Sequence, residues 1–196
     1  MLASITPLGE RSRGRKWSRT VTAYVVGAVA GGAALGVVAG AVAALAGVLD
    51  VRVRWAVIAA AVVITVIAEW RWRLPTVRRQ VDVRWLDAYR GWVVGLGYGA
   101  QLGAAVVTIV PTAATWVMLW LGVASGSFAV AVVTGVVFGA VRAAPVLATW
   151  QVTDVATLHQ WHRRLAEWGR PADRFTRTTT WMCAAGVVAL AVGAAR

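Results

Sequence analysis

The sequence predicts an all-α, polytopic integral membrane bundle of about five transmembrane helices, or six if one long run divides. Three observations carry that prediction. Hydrophobic residues make up 59% of the chain and charged residues only 14%, against about 25% charged in average soluble proteins. The apolar residues gather into four or five runs that meet or approach the roughly 18–20 residues a bilayer crossing requires. Sixteen of the twenty basic residues fall between those runs, at 1–20, 71–90 and 150–179. Basic residues concentrate on the cytoplasmic side of membrane proteins. The expected protein is therefore multi-pass in the cell (inner or plasma) membrane, with the N-terminus in the cytoplasm and the C-terminus outside.

Other readings of the composition are weaker. A formal charge of +12 is compatible with a nucleic-acid partner, but no basic segment contains a nucleic-acid-binding motif, and none is expected. The expected partner of the arginine-rich segments is the bilayer itself, through its anionic headgroups. Cys183 is the only cysteine. That rules out an intramolecular disulfide, a CxxC redox pair and a cysteine metal cluster within the chain.

In chain order, residues 1–20 read as a flexible, basic cytoplasmic tail with Arg11, Arg13, Arg15, Lys16 and Arg19 against Glu10. A membrane domain of 21–196 follows. Its first span is 21–49, too long for the 7–15-residue apolar core of a signal peptide. Gly27 and Gly31 form one four-spaced pair in it, and Gly32, Gly36 and Gly40 a second stripe. Asp50, Arg52 and Arg54 read as a turn before a second span at 55–70, which has Trp at both ends.

The longest uncharged run is 91–124. Gly95, Gly99 and Gly103 lie along one helical stripe there, where a neighbouring helix can pack backbone to backbone. Pro111 is expected to kink the helix. As one helix the run would measure about 50 Å against about 30 Å of hydrocarbon. Splitting it into two spans would put 150–179 outside, so the preferred reading is one span at 91–110. Residues 112–124 would then be a kinked, tilted or interfacial extension.

The fourth span is 128–149, with Gly135 and Gly139 four apart. A cytoplasmic amphipathic helix follows at 154–168. Val155, Leu158, Trp161, Leu165 and Trp168 recur on one side of it, and Gly169 and Pro171 can stop it. The last span is 181–195. Tyr24-Val-Val-Gly27 matches Trp92-Val-Val-Gly95, and Gly31 then aligns with Gly99; this is either a parallel internal repeat or a chance match in a chain rich in Gly, Val and Ala.

Three residues are candidates for a solute path: Gln101, Thr108 and Arg142. Gln101 lies too deep to snorkel, so it either bonds a neighbouring helix or lines a wet cavity. Thr108 is seven residues on and shares its face. Arg142, inside the fourth span, either snorkels to the inner headgroups or serves a ligand or proton pathway. His159 and His162 have metal-compatible spacing, but no further ligand completes a shell. No metal or cofactor is expected. No nucleophile–base pair, phosphate-cradling loop or paired intramembrane carboxylates occur, so no catalytic residue is assigned and an enzyme is not expected.

The stretch Gly97-Tyr-Gly-Ala-Gln-Leu-Gly103, continued to Thr108-Ile-Val-Pro111, resembles a Gly-rich, Pro-terminated span of certain small bacterial membrane proteins. These are grouped with the amino-acid exporters and the transmembrane thiol-redox proteins of cytochrome c biogenesis, and actinobacterial members look most similar. The likeness covers about fifteen residues and implies a gated helical bundle, usually of six spans or more. The redox members carry a membrane cysteine pair beside the proline, which this chain lacks, so thiol electron transfer is not implied. Two functions follow as expectations. One is a small-solute transporter, exporter or transporter component. The other is a non-catalytic membrane scaffold or accessory subunit. A homo-oligomer or a membrane-protein partner fits either.

Overall fold

The computed structural model describes residues 5–71, 85–105 and 113–195, and no strand occurs among them. The helices are α1 (Pro7–Ser12), α2 (Trp17–Ala46), α3 (Val51–Arg71), α4 (Trp85–Ala88), α5 (Gly91–Gly103), α6 (Ala114–Ala124), α7 (Phe128–Leu147) and α8 (Val155–Ala195). A short 3-10 turn, Ala148–Gln151, follows α7. Among the described residues four helices are long and apolar enough to cross a membrane: Trp17–Ala46, Val51–Arg71, Phe128–Gln151 and Val155–Ala194.

α2 is the axis of the molecule because two of its faces have no side chains to hold neighbours away. Gly27 and Gly31 face α5, where an added Cβ would overlap the carbonyl oxygens of Leu96 and Ala100. In return, a Cβ on Gly95, Gly99 or Gly103 would overlap the carbonyls of Thr20, Tyr24 and Ala28. The partners advance together, so α2 and α5 run parallel. The two segments of the apparent repeat thus lie side by side. On the other face, Gly32 and Gly135 meet backbone to backbone, Gly139 meets Ala28, and Gly36 meets Ala131. Here the order reverses, so α7 runs antiparallel to α2. Such close approach maximises dispersion contacts between helices.

Residues 5–20 are not a flexible tail, which corrects the sequence reading. Thr6 caps α1 by accepting from the Gly9 amide at 3.1 Å, and Pro7 occupies the first helical turn, where its missing N–H costs nothing. α1 then tucks under the bundle. The Leu8 amide donates to the Val152 carbonyl at 3.1 Å, and the Thr149 hydroxyl donates to Ile5 O at 3.1 Å. Glu10, the single acid of the segment, is buried and accepts from the Thr20 hydroxyl at 2.5 Å. A lone carboxylate among five cations thus folds the segment back onto α2.

The turn expected at 50–54 is also helical. Asp50 Oδ1 accepts from the Arg52 amide at 2.8 Å, which starts α3 at Val51 rather than at 55. Arg54 then lies against Gly126, which has a φ of 62° in the turn after α6. α7 covers most of the expected 128–149 span and ends in the 3-10 turn.

Within the run 91–124 the described residues form two short helices, and the last part of the expected span, 106–110, lies outside them. α5 has 13 residues and α6 has 11, about 20 and 17 Å. Gly103 ends α5 against Ala28, near the middle of α2. α6 ends at the turn where Gly126 approaches Gly47, just past the far end of α2. The halves therefore advance in one direction and make a single traverse of the bundle. Ala105, buried with a φ of 45°, terminates the first half. That left-handed conformation ends many helices and is usually given to glycine. Residues 114–124, expected as a kinked, tilted or interfacial extension, pack into the bundle. Val117, Val123 and Ala124 are core residues, and the Trp120 indole donates to the Thr65 hydroxyl of α3 at 3.3 Å.

Finally, the amphipathic segment at 154–168 and the span at 181–195 are one helix, 41 residues long. Gly169 and Pro171 do not stop it. Residues 162–175 are all exposed, so the carbonyl that Pro171 leaves unbonded can be solvated instead of breaking the helix. Among the described residues of α8 only Thr180, Ala184 and Val187 are buried, and the latter two join Ile58, Val62 and Val66 of α3 in one cluster.

Candidate functional site

The end of α5 is where a left-handed residue, Ala105, a polar side chain, Gln101, and the middle of the bundle come close together in the chain. α5 arrives there with its glycine face locked on α2. Gln101 sits between Gly99 and Gly103, about 200° around the helix from either, so it faces away from α2. It is half-buried, and its amide makes no hydrogen bond among the described residues. The two helix ends that frame the break carry opposite partial charge, negative at the end of α5 and positive at the start of α6. Among the described residues no side chain caps either end: Ala104 closes α5 and Ala113 opens α6. Chemically, the end of α5 presents backbone carbonyls and the start of α6 backbone amides.

Thr108 and Pro111 lie outside the described residues. Arg142 is described, and it lies on α7 rather than on α5. It is half-buried on α7, three residues past Gly139, and its guanidinium stands 5.3 Å from the Phe138 ring centroid. The Tyr24 phenol of α2 lies in its neighbourhood. A cation–π contact and an adjacent phenol give the charge a local home. No hydrogen bond or ion pair among the described residues joins Arg142 to Gln101. Both residues lie at a similar level of α2, since Gly103, two residues after Gln101, and Gly139, three residues before Arg142, both pack on Ala28.

The packing glycines Gly27, Gly31, Gly95, Gly99, Gly103, Gly135 and Gly139 all lie on the seams of α2. They fix the position of the break without lining it.

Two polar features escaped the sequence reading. One is the Glu10–Thr20 bond, for which the isolation of Glu10 among cations was the available signal. The other is the left-handed Ala105, for which alanine gives none. His159 and His162 are exposed on α8. Among the described residues no group of three or more His, Cys, Asp or Glu side chains is placed to hold a metal ion. Outside the apolar helices, Asp154 starts α8 as a reciprocal cap. Its Oδ1 accepts from the Thr157 amide at 2.8 Å, and its own amide donates to Thr157 Oγ1 at 3.2 Å. The Thr157 amide bond is the main reason its carboxyl is held below the ordinary carboxylate value, with the Thr157 hydroxyl and the Ala156 amide adding to the effect.

No protein-family model, curated protein or solved structure matches the chain.

Proposed function

We propose that the chain is a multi-pass protein of the cell membrane that moves a small solute, alone or as the transporting part of a complex. In this reading the solute binds at the broken third traverse beside Gln101. The broken helix carries the proposal. Discontinuous helices at membrane depth occur where backbone ends bind substrate or ions, because unsatisfied carbonyls and amides are too costly to leave facing lipid. Gln101, turned away from α2 and without a partner in the described structure, supplies a side chain for the same site. Arg142, on α7 at a similar level of the bundle and beside Tyr24, adds a charge to the same reading. The basic residues of α1 and the start of α2, with those of α8, would face the cytoplasm and its anionic headgroups.

A second reading has its own support. The glycine seams fix α2, α5 and α7 backbone to backbone, as in a rigid scaffold, and the first half of α8 offers a long exposed surface to a partner. An accessory subunit of a membrane complex fits those features. Neither reading assigns a catalytic residue.

The discriminating test is thiol labelling of Gln101→Cys in a Cys183→Ala background, in intact cells, with Ser127→Cys as a loop control. A small water-soluble reagent that modifies position 101 would mean that water reaches the break. Transport assays across solute classes would then identify the cargo. Failure to label position 101 from either side, with the control modified normally, would remove the transport reading and leave the scaffold.

A further inference from the structure

Three polar side chains, each on a different helix, are left without hydrogen-bond partners at a similar level of the bundle. They are Tyr24 of α2, Gln101 of α5 and Arg142 of α7. The Tyr24 side chain is 4% exposed, and its phenol makes no hydrogen bond among the described residues. Arg142 makes none either, and no ion pair among them engages it. The sequence places no acid beside it. Arg142 is the only charged residue between Arg90 and Asp154, and α2 carries no charge beyond Arg19.

Helix geometry turns the three toward a common space. The Tyr24 carbonyl meets Gly99, one turn before the level at which Gly103 and Gly139 both pack on Ala28. Tyr98 of α5 joins Tyr24 of α2 and Ala143 and Val146 of α7 in one cluster, so that side of α5 faces α7. Gln101 follows Tyr98 by about one turn, at about 60° to it. On α7, Ala131 packs on Gly122 of α6, and Phe138 and Arg142 return to the same stripe two and three turns later. That stripe faces the third traverse.

Arg142 also points inward. Its guanidinium lies over the Phe138 ring, one turn nearer the middle of α7, the direction in which helical side chains lean. An arginine reaching for headgroups would turn instead toward the nearer helix end at Leu147. The ring and the phenol cushion the charge but do not neutralise it. A cation in an apolar interior calls for a counter-charge, and the neighbouring helices bring none. One guanidinium beside two neutral polar groups matches a single negative charge, whereas a dianion would leave a net charge buried. A guanidinium takes a carboxylate through two parallel hydrogen bonds, and a phenol O–H and a carboxamide N–H can serve the remaining lone pairs.

We propose that the solute bound beside Gln101 is a small monocarboxylate anion, held by Arg142 with Tyr24 and Gln101 where α2, α5 and α7 meet. The inference rests on the transport reading above and names the class of its cargo.

The test uses Gln101→Cys in a Cys183→Ala background, purified as the full chain and reconstituted in phosphatidylcholine vesicles. Two methanethiosulfonate reagents of similar size, one bearing a sulfonate and one a trimethylammonium, are timed at position 101. Each rate is divided by that with a free small thiol. The expected result is a preference of about tenfold for the anionic reagent, kept by Arg142→Lys and abolished by Arg142→Gln. Formate, acetate, pyruvate and benzoate are then added singly, against sodium sulfate at equal ionic strength. At least one should slow labelling about fivefold, the protection of a site about four-fifths filled, and none should do so in Arg142→Gln. Absence of the preference, a preference that survives Arg142→Gln, or no protection by any of the four would overturn the anion site. Sulfate protecting as well as any carboxylate would overturn it too. If the arginine variants do not fold, protection in the parent chain decides: a carboxylate that protects where sulfate does not supports the site. If position 101 takes neither reagent while the Ser127→Cys control takes both, the transport reading falls and the anion site with it. Labelling at 101 without charge preference removes the anion site alone.

Discussion

The two sides of the bundle are held together by different means. On the α2–α5–α7 side, glycines bring backbone against backbone, and a Cβ almost anywhere on the seam would meet a carbonyl oxygen. On the α3–α6–α8 side, the contacts are side chains such as Val62, Val117 and Trp120, and a cavity of about 320 Å³ remains beside them. Backbone seams have one fit, because neither partner can rotate out of the way. Side-chain seams tolerate gaps, since each rotamer fills space approximately. The rigid side fixes the level of the break beside Gln101, and the looser side leaves space unfilled.

The sharpest way to break this comparison is to add bulk to both sides. Gly99→Leu forces a side chain into the Tyr24 carbonyl and should cost about 4 kcal/mol or more, enough to abolish the folded state. Gly186→Leu on α8, where nothing lies within 4 Å of the added Cβ, should change stability by less than about 0.5 kcal/mol. Thermal unfolding in detergent, read as the monodisperse fraction after heating, would check both. Similar losses at the two positions would end the distinction.

A smaller effect is expected where the rigid side is clasped by α1. Gly91 fits beneath the Glu10 carboxylate and the Thr20 hydroxyl. Glu10→Ala leaves that hydroxyl buried without its acceptor, at about 1–3 kcal/mol, and should release α1. Trypsin cleavage at Arg11, Arg13 and Arg15 would accelerate, while Glu10→Gln, which keeps an acceptor, should lose less. Unchanged cleavage in the alanine variant would mean that α1 is held by its backbone bonds to Thr149 and Val152 alone.

The smallest effect belongs to the other side, at the start of α8. The folded Asp154 carboxyl titrates below its unfolded value. Its contribution is therefore fully present above the ordinary aspartate value of about 3.9 and is lost as the pH falls through the lower, folded value. Amide exchange at Thr157 should lose protection over that acidic window in the wild type. Asp154→Ala should lack the protection at every pH. A pH-independent Thr157 amide in the wild type would remove Asp154 as the cap.

The helical class, the position of most helices and both glycine stripes of α2 were legible in the sequence because periodicity and length are local properties. Gly27 with Gly31, and Gly32 with Gly36 and Gly40, announce two seamed faces whatever the neighbours are. Which helix fills each seam is a non-local question, and only the tertiary structure gives α5 to the first and α7 to the second. The same division explains the errors. Gly169 and Pro171 are strong local stops, yet α8 passes through them because no packing there penalises the missing bond. A basic segment reads as a solvated tail until Thr20 and Gly91 offer Glu10 a buried place. Gln101 and Arg142 look alike as polar residues within separate apolar runs, and only the packing of Gly103 and Gly139 on Ala28 gives them a similar level. Sequence determined what each segment can form, since spacing and burial preference are written residue by residue. Tertiary structure decided where the third traverse breaks, which polar groups meet and where space remains, because those depend on atoms brought together from distant parts of the chain.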